Sequence, residues 1–92
     1  MAKKGLYLKI FGEVHGVGFR YYTMEKAREL GLVGWVRNVG DGTVECEAEG
    51  EEEVLKKFLE WAKGGLSWAK VERVEEKWDD FRGEFNGFEI KF

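Results

Sequence analysis

Leu6-Tyr7-Leu8-Lys9-Ile10-Phe11-Gly12-Glu13-Val14-His15-Gly16-Val17-Gly18-Phe19-Arg20-Tyr21-Tyr22 decides how the chain folds, because its hydrophobic period changes partway along. Leu6, Leu8 and Ile10 alternate with Tyr7, Lys9 and Phe11, the period of a half-buried strand. Glycines at 12, 16 and 18 then break the alternation. From Tyr21 the period is helical. Tyr21, Met24, Ala27 and Leu30, with Tyr22, share one face, while Glu25, Lys26, Arg28 and Glu29 face water. Gly31 is placed to end that helix in the left-handed conformation.

Outward from this segment the pattern continues strand, strand, helix, strand. Leu32 to Val39 reads as a second strand, with Gly34 where a neighbour approaches closely. Val39-Gly40-Asp41-Gly42 is a hairpin signal. The third strand puts Val44, Cys46 and Ala48 on one face and Glu45, Glu47 and Glu49 on the other. Glu51 to Lys63 is a helix with acids in its first turn and a stripe of Val54, Leu55, Phe58, Leu59, Trp61 and Ala62, stopped by Gly64-Gly65. A fourth strand runs from about Ala69 to Trp78. Its apolar positions Val71, Val74 and Trp78 do not keep one parity, which predicts a bulge near Glu72-Arg73. Asp79 to Asn86 is a polar loop, and Phe88, Ile90 and Phe92 form a closing strand. The order β-α-β-β-α-β with one extra terminal strand predicts an α+β ferredoxin-like sandwich, an antiparallel sheet with both helices on one face.

The chain has 92 residues, 43% hydrophobic and 36% charged, which suits a single small domain over residues 1–92. The charged fraction exceeds the usual figure of about 25% and fits a thermophilic source. Apolar runs are too short to span a bilayer, and the basic start Met1-Ala2-Lys3-Lys4 lacks the apolar core of a secretion signal. One Cys and one His exclude an internal disulfide and a structural zinc cluster. A cytoplasmic monomer is expected. Up to Val44 there are seven Lys and Arg against four Asp and Glu, a net of +3; from Glu45 there are eight against fourteen, a net of −6. An acidic chain argues against general nucleic-acid binding, but its basic half has room for one local anion site.

The loop from Gly12 to Arg20 leaves a strand and enters a helix, so its amides can converge on an anion at the helix N-terminus. Glycines 16 and 18 permit the positive φ that curls successive amides into a nest. Arg20 can bind phosphate through two parallel hydrogen bonds. The same residues would also serve as a tight turn carrying a surface arginine. The loop lacks the Gly-Lys-Ser/Thr ending of a nucleotide-binding loop, so the anion it fits is small. Strands one and two run in the same direction, which brings Asn38 to the same sheet edge as the loop. Its carboxamide is able to orient a water without titrating, or simply to cap the turn beside Gly40-Asp41-Gly42.

Gly12-Glu13-Val14-His15-Gly16-Val17-Gly18-Phe19-Arg20, with Gly34-Trp35-Val36-Arg37-Asn38 and Asp41-Gly42-Thr43-Val44-Glu45, closely resembles the acylphosphatases. Ala48-Glu49-Gly50, Ala69-Lys70-Val71-Glu72-Arg73-Val74 and Gly87-Phe88-Glu89-Ile90 fit as well, so the resemblance covers essentially the whole chain. It implies hydrolysis of acyl phosphates to carboxylate and phosphate with no metal or organic cofactor. It implies a phosphate site made of loop positions His15, Gly16, Val17, Gly18 and Phe19 with Arg20, and Arg20 and Asn38 as the catalytic pair, Asn38 holding the attacking water. Inorganic phosphate or sulfate would compete for that site. His15 stands where the family usually has glutamine; because the loop contributes backbone, the change is expected to be tolerated.

The other reactive-looking residues have plainer roles. Cys46 points to the core as an inert thiol, and the acids from Glu49 to Glu53 solvate a helix start. Trp35, Trp61, Trp68 and Trp78 are core or half-buried cover. Arg37 either widens the positive field beside Asn38 or pairs with strand-three glutamates. The competing reading is a non-catalytic anion- or RNA-binding module on the same fold, faintly suggested by Phe19, Tyr21 and Tyr22. Against it, Glu45, Glu47 and Glu49 occupy a sheet face where nucleic acid would need cations and aromatics.

Overall fold

The computed structural model describes residues 2–16, 18–64 and 69–92. The elements run β1 (Lys3–Glu13), α1 (Phe19–Glu29), β2 (Val33–Asn38), β3 (Val44–Glu51), α2 (Glu52–Gly64), β4 (Lys70–Asp80) and β5 (Phe88–Lys91). They form a five-stranded sheet in the order β4-β1-β3-β2-β5. α1 lies against β2 and β5, and α2 against β1, β3 and β4. Leu6, Leu8, Ile10, Val36, Val44, Cys46 and Ala48 from the sheet meet Phe19, Ala27, Leu55, Phe58 and Ala62 from the helices in one core. This is the ferredoxin-like α+β sandwich expected from the period changes.

The sheet is mixed rather than wholly antiparallel. β1, β2, β3 and β4 pair antiparallel, but β5 runs parallel to β2 at the far edge, with Phe88 opposite Gly34. The reason lies in the segment between β4 and β5, which crosses the whole end of the sheet. Glu49 anchors it midway: its carboxylate accepts the backbone N–H of Arg82 (2.8 Å) and of Gly83 (3.1 Å). Glu49 keeps the parity of Glu45 and Glu47, yet it is buried beneath this crossing segment instead of facing solvent. Buried carboxylates are tolerated when hydrogen bonds replace their water, as two amides do here.

α1 begins at Phe19, earlier than its tyrosines suggest, and buries Phe19, Thr23 and Ala27. Tyr21 and Tyr22, expected on the core face, are 49% and 39% exposed. Thr23 is buried in their place because its hydroxyl donates to the Phe19 carbonyl at 2.7 Å, leaving no polar atom unsatisfied. The helix closes with Gly31 donating to Arg28 O and Leu32 to Ala27 O, the paired bonds of a Schellman ending. β1 and β4 are longer than their sequence patterns indicate. In the β1–β4 ladder Phe11 faces Arg73 and Gly12 faces Val71, so Glu72 is the extra residue of the expected bulge. Trp61 stacks between Phe19 and Phe58, with ring centroids 6.1 and 6.2 Å away. Trp68 and Gly65 lie outside the described residues.

At Gly34 the neighbouring strand leaves no room for a side chain. The Gly34 φ is +145°, and a Cβ there would stand 1.8 Å from the Glu47 carbonyl oxygen, backbone that cannot swing aside. Gly34→Ala is expected to cost at least ~3 kcal/mol, read as a lower urea midpoint, since it combines backbone strain with overpacking.

Candidate functional site

The glycine-rich loop hangs between two buried side chains. Val14 directly follows β1 and Phe19 opens α1, each 1% exposed. Between them Gly16 and Gly18 adopt φ of +71° and +75°, the left-handed values needed to turn successive amides inward. Gly18 is the N-cap of α1 and supplies no side-chain cap, and the first turn contains no acid. The opening N–H groups of the helix and its positive dipole end therefore stand available at the loop. Val17 lies outside the described residues.

A cavity of about 130 Å³ opens here, and Val14, Gly16, Gly18, Phe19, Arg20, Tyr21, Ile90 and Phe92 line it. The loop glycines and Arg20 thus meet in one place. Phe19 contributes backbone only, because its ring is in the core. The Arg20 guanidinium lies over the Phe92 ring, 5.3 Å from its centroid, a contact with no local signature in the sequence. A wider groove between the helices is lined by Tyr22, Glu25, Lys26, Arg28, Glu29 and Trp61. Its mixed charge, with Lys26 paired to Glu29 at 3.2 Å, suits an anion poorly.

Asn38 does not line the cavity but stands at the same end of the sheet. Ile10, Val44 and Asn38 form one row across β1, β3 and β2, and the loop begins only a few residues beyond Ile10. Asn38 shares parity with the buried Val36, so its side chain is on the helix-covered face. Its Oδ1 is buried and has no hydrogen-bond partner among the described residues. A buried acceptor of that kind calls for a donor such as water or substrate.

The β2–β3 turn completes this end. Gly42 N donates to Val39 O, and Val39 N donates to Thr43 O at 2.9 Å. His15 is exposed, yet its Nε2 is 2.8 Å from the same Thr43 oxygen. Its imidazole faces the turn, and His15 is not among the residues that line the cavity. Asp41 Oδ1 accepts both the N–H (3.0 Å) and the hydroxyl (2.6 Å) of Thr43, and Lys9 Nζ approaches Oδ2 at 3.3 Å. The Thr43 hydroxyl first, then its amide, and Lys9 more weakly, lower the Asp41 carboxyl to about 2.

On the open face Arg37 is committed to Glu45, with Nη2 2.6 Å from Oε1, which settles its two possible roles in favour of pairing. The Tyr7 hydroxyl donates to the same carboxylate. Burial first, and then that hydrogen bond, push Tyr7 up to about 12. Cys46 is fully buried, and burial pushes its thiol well above the ordinary range, as an inert core position requires. Among the described residues no group of three His, Cys, Asp or Glu side chains is placed to hold a metal ion.

Fold and cavity together define a small α+β sandwich with a pocket where a glycine-rich loop meets a helix N-terminus. Over residues 6–90 the sequence matches the acylphosphatase family. An acylphosphatase of Caldanaerobacter subterraneus subsp. tengcongensis is 46% identical over 88 residues, covering 96% of this chain and 98% of the relative. Another, of Syntrophobacter fumaroxidans, is 47% identical over 92 residues, 100% of this chain and 95% of the relative. The crystal structure of acylphosphatase from Bacillus subtilis superposes with a TM-score of 0.92 at 35% identity, covering 97% of this chain and 99% of that one. The chain belongs to the acylphosphatase family.

Asp41 supplies a pH test. Its folded-state value lies below the ordinary carboxylate value, so its charge stabilises the protein above pH ~4, and that contribution is lost as pH falls through about 2. Wild type is expected to exceed Asp41→Asn in urea midpoint at pH 5, and the gap to close between pH ~4 and ~2.

Proposed function

We propose that the protein hydrolyses the mixed anhydride of a carboxylic and a phosphoric acid, releasing carboxylate and inorganic phosphate. The amides at positions 15 to 19 and the Arg20 guanidinium hold the phosphoryl oxygens. Asn38 holds the water that attacks phosphorus. The bond from phosphorus to the acyl oxygen breaks, the carboxylate departs with the electron pair, and the water's proton passes to a phosphoryl oxygen.

The observation that carries this reading is the orphaned Asn38 Oδ1 at the same sheet end as a cavity lined by Gly16, Gly18 and Arg20. Such a sparse site suits the reaction. A carboxylate leaves readily, so the main task is to stabilise charge on the phosphoryl oxygens, which fixed amides and one guanidinium perform. Phosphate and sulfate compete for the cradle, and the protein acts as a cytoplasmic monomer without nucleic acid.

Release of benzoate from benzoyl phosphate tests the proposal. Asn38→Ala is expected to lower kcat by at least ~10² with little change in inhibition by phosphate. Arg20→Ala is expected to weaken phosphate inhibition as well as rate. Normal turnover in Asn38→Ala removes the water-holding role, and unaltered phosphate inhibition in Arg20→Ala removes the arginine from the cradle.

A further inference from the structure

We infer that His15 is a positioning residue whose imidazole ties the phosphate loop to the strand that carries Asn38, through the Thr43 carbonyl oxygen they share. The inference rests on the proposed roles of the loop and Asn38. In-line attack requires a water held on β2 to meet a phosphorus atom held by the loop, so the loop and the β2 end must be held in register. Thr43 O accepts from Val39 N, the residue after Asn38, at 2.9 Å and is 2.8 Å from His15 Nε2, next to Gly16. A carbonyl only accepts, so Nε2 must carry the hydrogen, and the contact selects that tautomer.

The acceptor is itself immobilised. Thr43 is 5% exposed and gives both its amide and its hydroxyl to Asp41 Oδ1. Asp41 in turn faces Lys9 on β1, the strand from which the loop departs. The chain of contacts Lys9, Asp41, Thr43, His15 thus returns to its own strand and encloses the loop's first turn. Without the imidazole, Val14 and Phe19 still anchor the loop in the core and its amides still face an anion. What is lost is the register between loop and carboxamide. Binding of phosphate should survive that loss and turnover should not.

The test uses His15→Ala, His15→Gln, Asn38→Ala and the double variant His15→Ala/Asn38→Ala, each assayed with benzoyl phosphate and with inorganic phosphate as inhibitor. His15→Ala is expected to lower kcat about tenfold while KM and phosphate inhibition stay within about twofold, the signature of misplaced rather than missing binding groups. His15→Gln, which keeps an N–H at similar reach, should recover most of the rate. In the Asn38→Ala background, His15→Ala should cost little more, because the group it aligned is gone. Unchanged kcat in His15→Ala, a parallel loss of phosphate affinity, failure of glutamine to rescue, or full additivity in the double variant each overturns the inference. If Asn38→Ala shows its expected loss and His15→Ala is silent, the inference alone falls. If Asn38→Ala turns over normally, the function proposed for Asn38 falls first and takes this role with it.

Discussion

The site depends on a short loop being suspended between two side chains that cannot leave the core. Val14 and Phe19 are both essentially sealed from water, and Phe19 is further held by its stack on Trp61. Burying an aromatic of that size contributes about 2–3 kcal/mol, much more than any single hydrogen bond in the loop. The glycines between these anchors are therefore free to take left-handed angles without loosening the fold. The exposed, left-handed glycines lie together in the loop, and the packing energy lies on either side.

Topology then sets which groups can meet. β1 and β2 run in the same direction on either side of β3, so the chain leaving β1 must cross above β3 to reach α1 over β2 and β5. That crossing is why the loop lies beside the β2–β3 turn and why Thr43 can face both. The arrangement needs no side chain to titrate near neutrality and few residues in all, in keeping with a reaction whose leaving group is already a stable anion.

What could be read from the residues alone was whatever depended on neighbours in the chain. The alternation of Val44, Cys46 and Ala48 with glutamates, the parity break at Glu72 and the glycines around Arg20 each record a local condition, and each appears in the structure where the pattern placed it. What could not be read depended on distant partners. Glu49 looked like its neighbours Glu45 and Glu47, but the amides of Arg82 and Gly83 cover it. β5 looked like one more antiparallel strand because nothing in Phe88-Glu89-Ile90 records that the chain has just crossed the sheet. α1 was shifted because Thr23 resembles a surface residue until its hydroxyl finds the Phe19 carbonyl. At the site, Gly16, Gly18 and Arg20 were visible as a motif, whereas the imidazole's partner twenty-eight residues away was not.

The ring of Phe92 beneath Arg20 also bears on why a planar cation is found at that position. A guanidinium offers two kinds of surface: flat sides that rest on an aromatic, and a rim of N–H donors. A guanidinium with one flat side against a ring keeps its rim unspent and would still have two donors for an oxyanion. An ammonium has no such division, since whatever cradles it competes with the ligand for the same three hydrogens. Lysine at this position would have to choose between being held and holding.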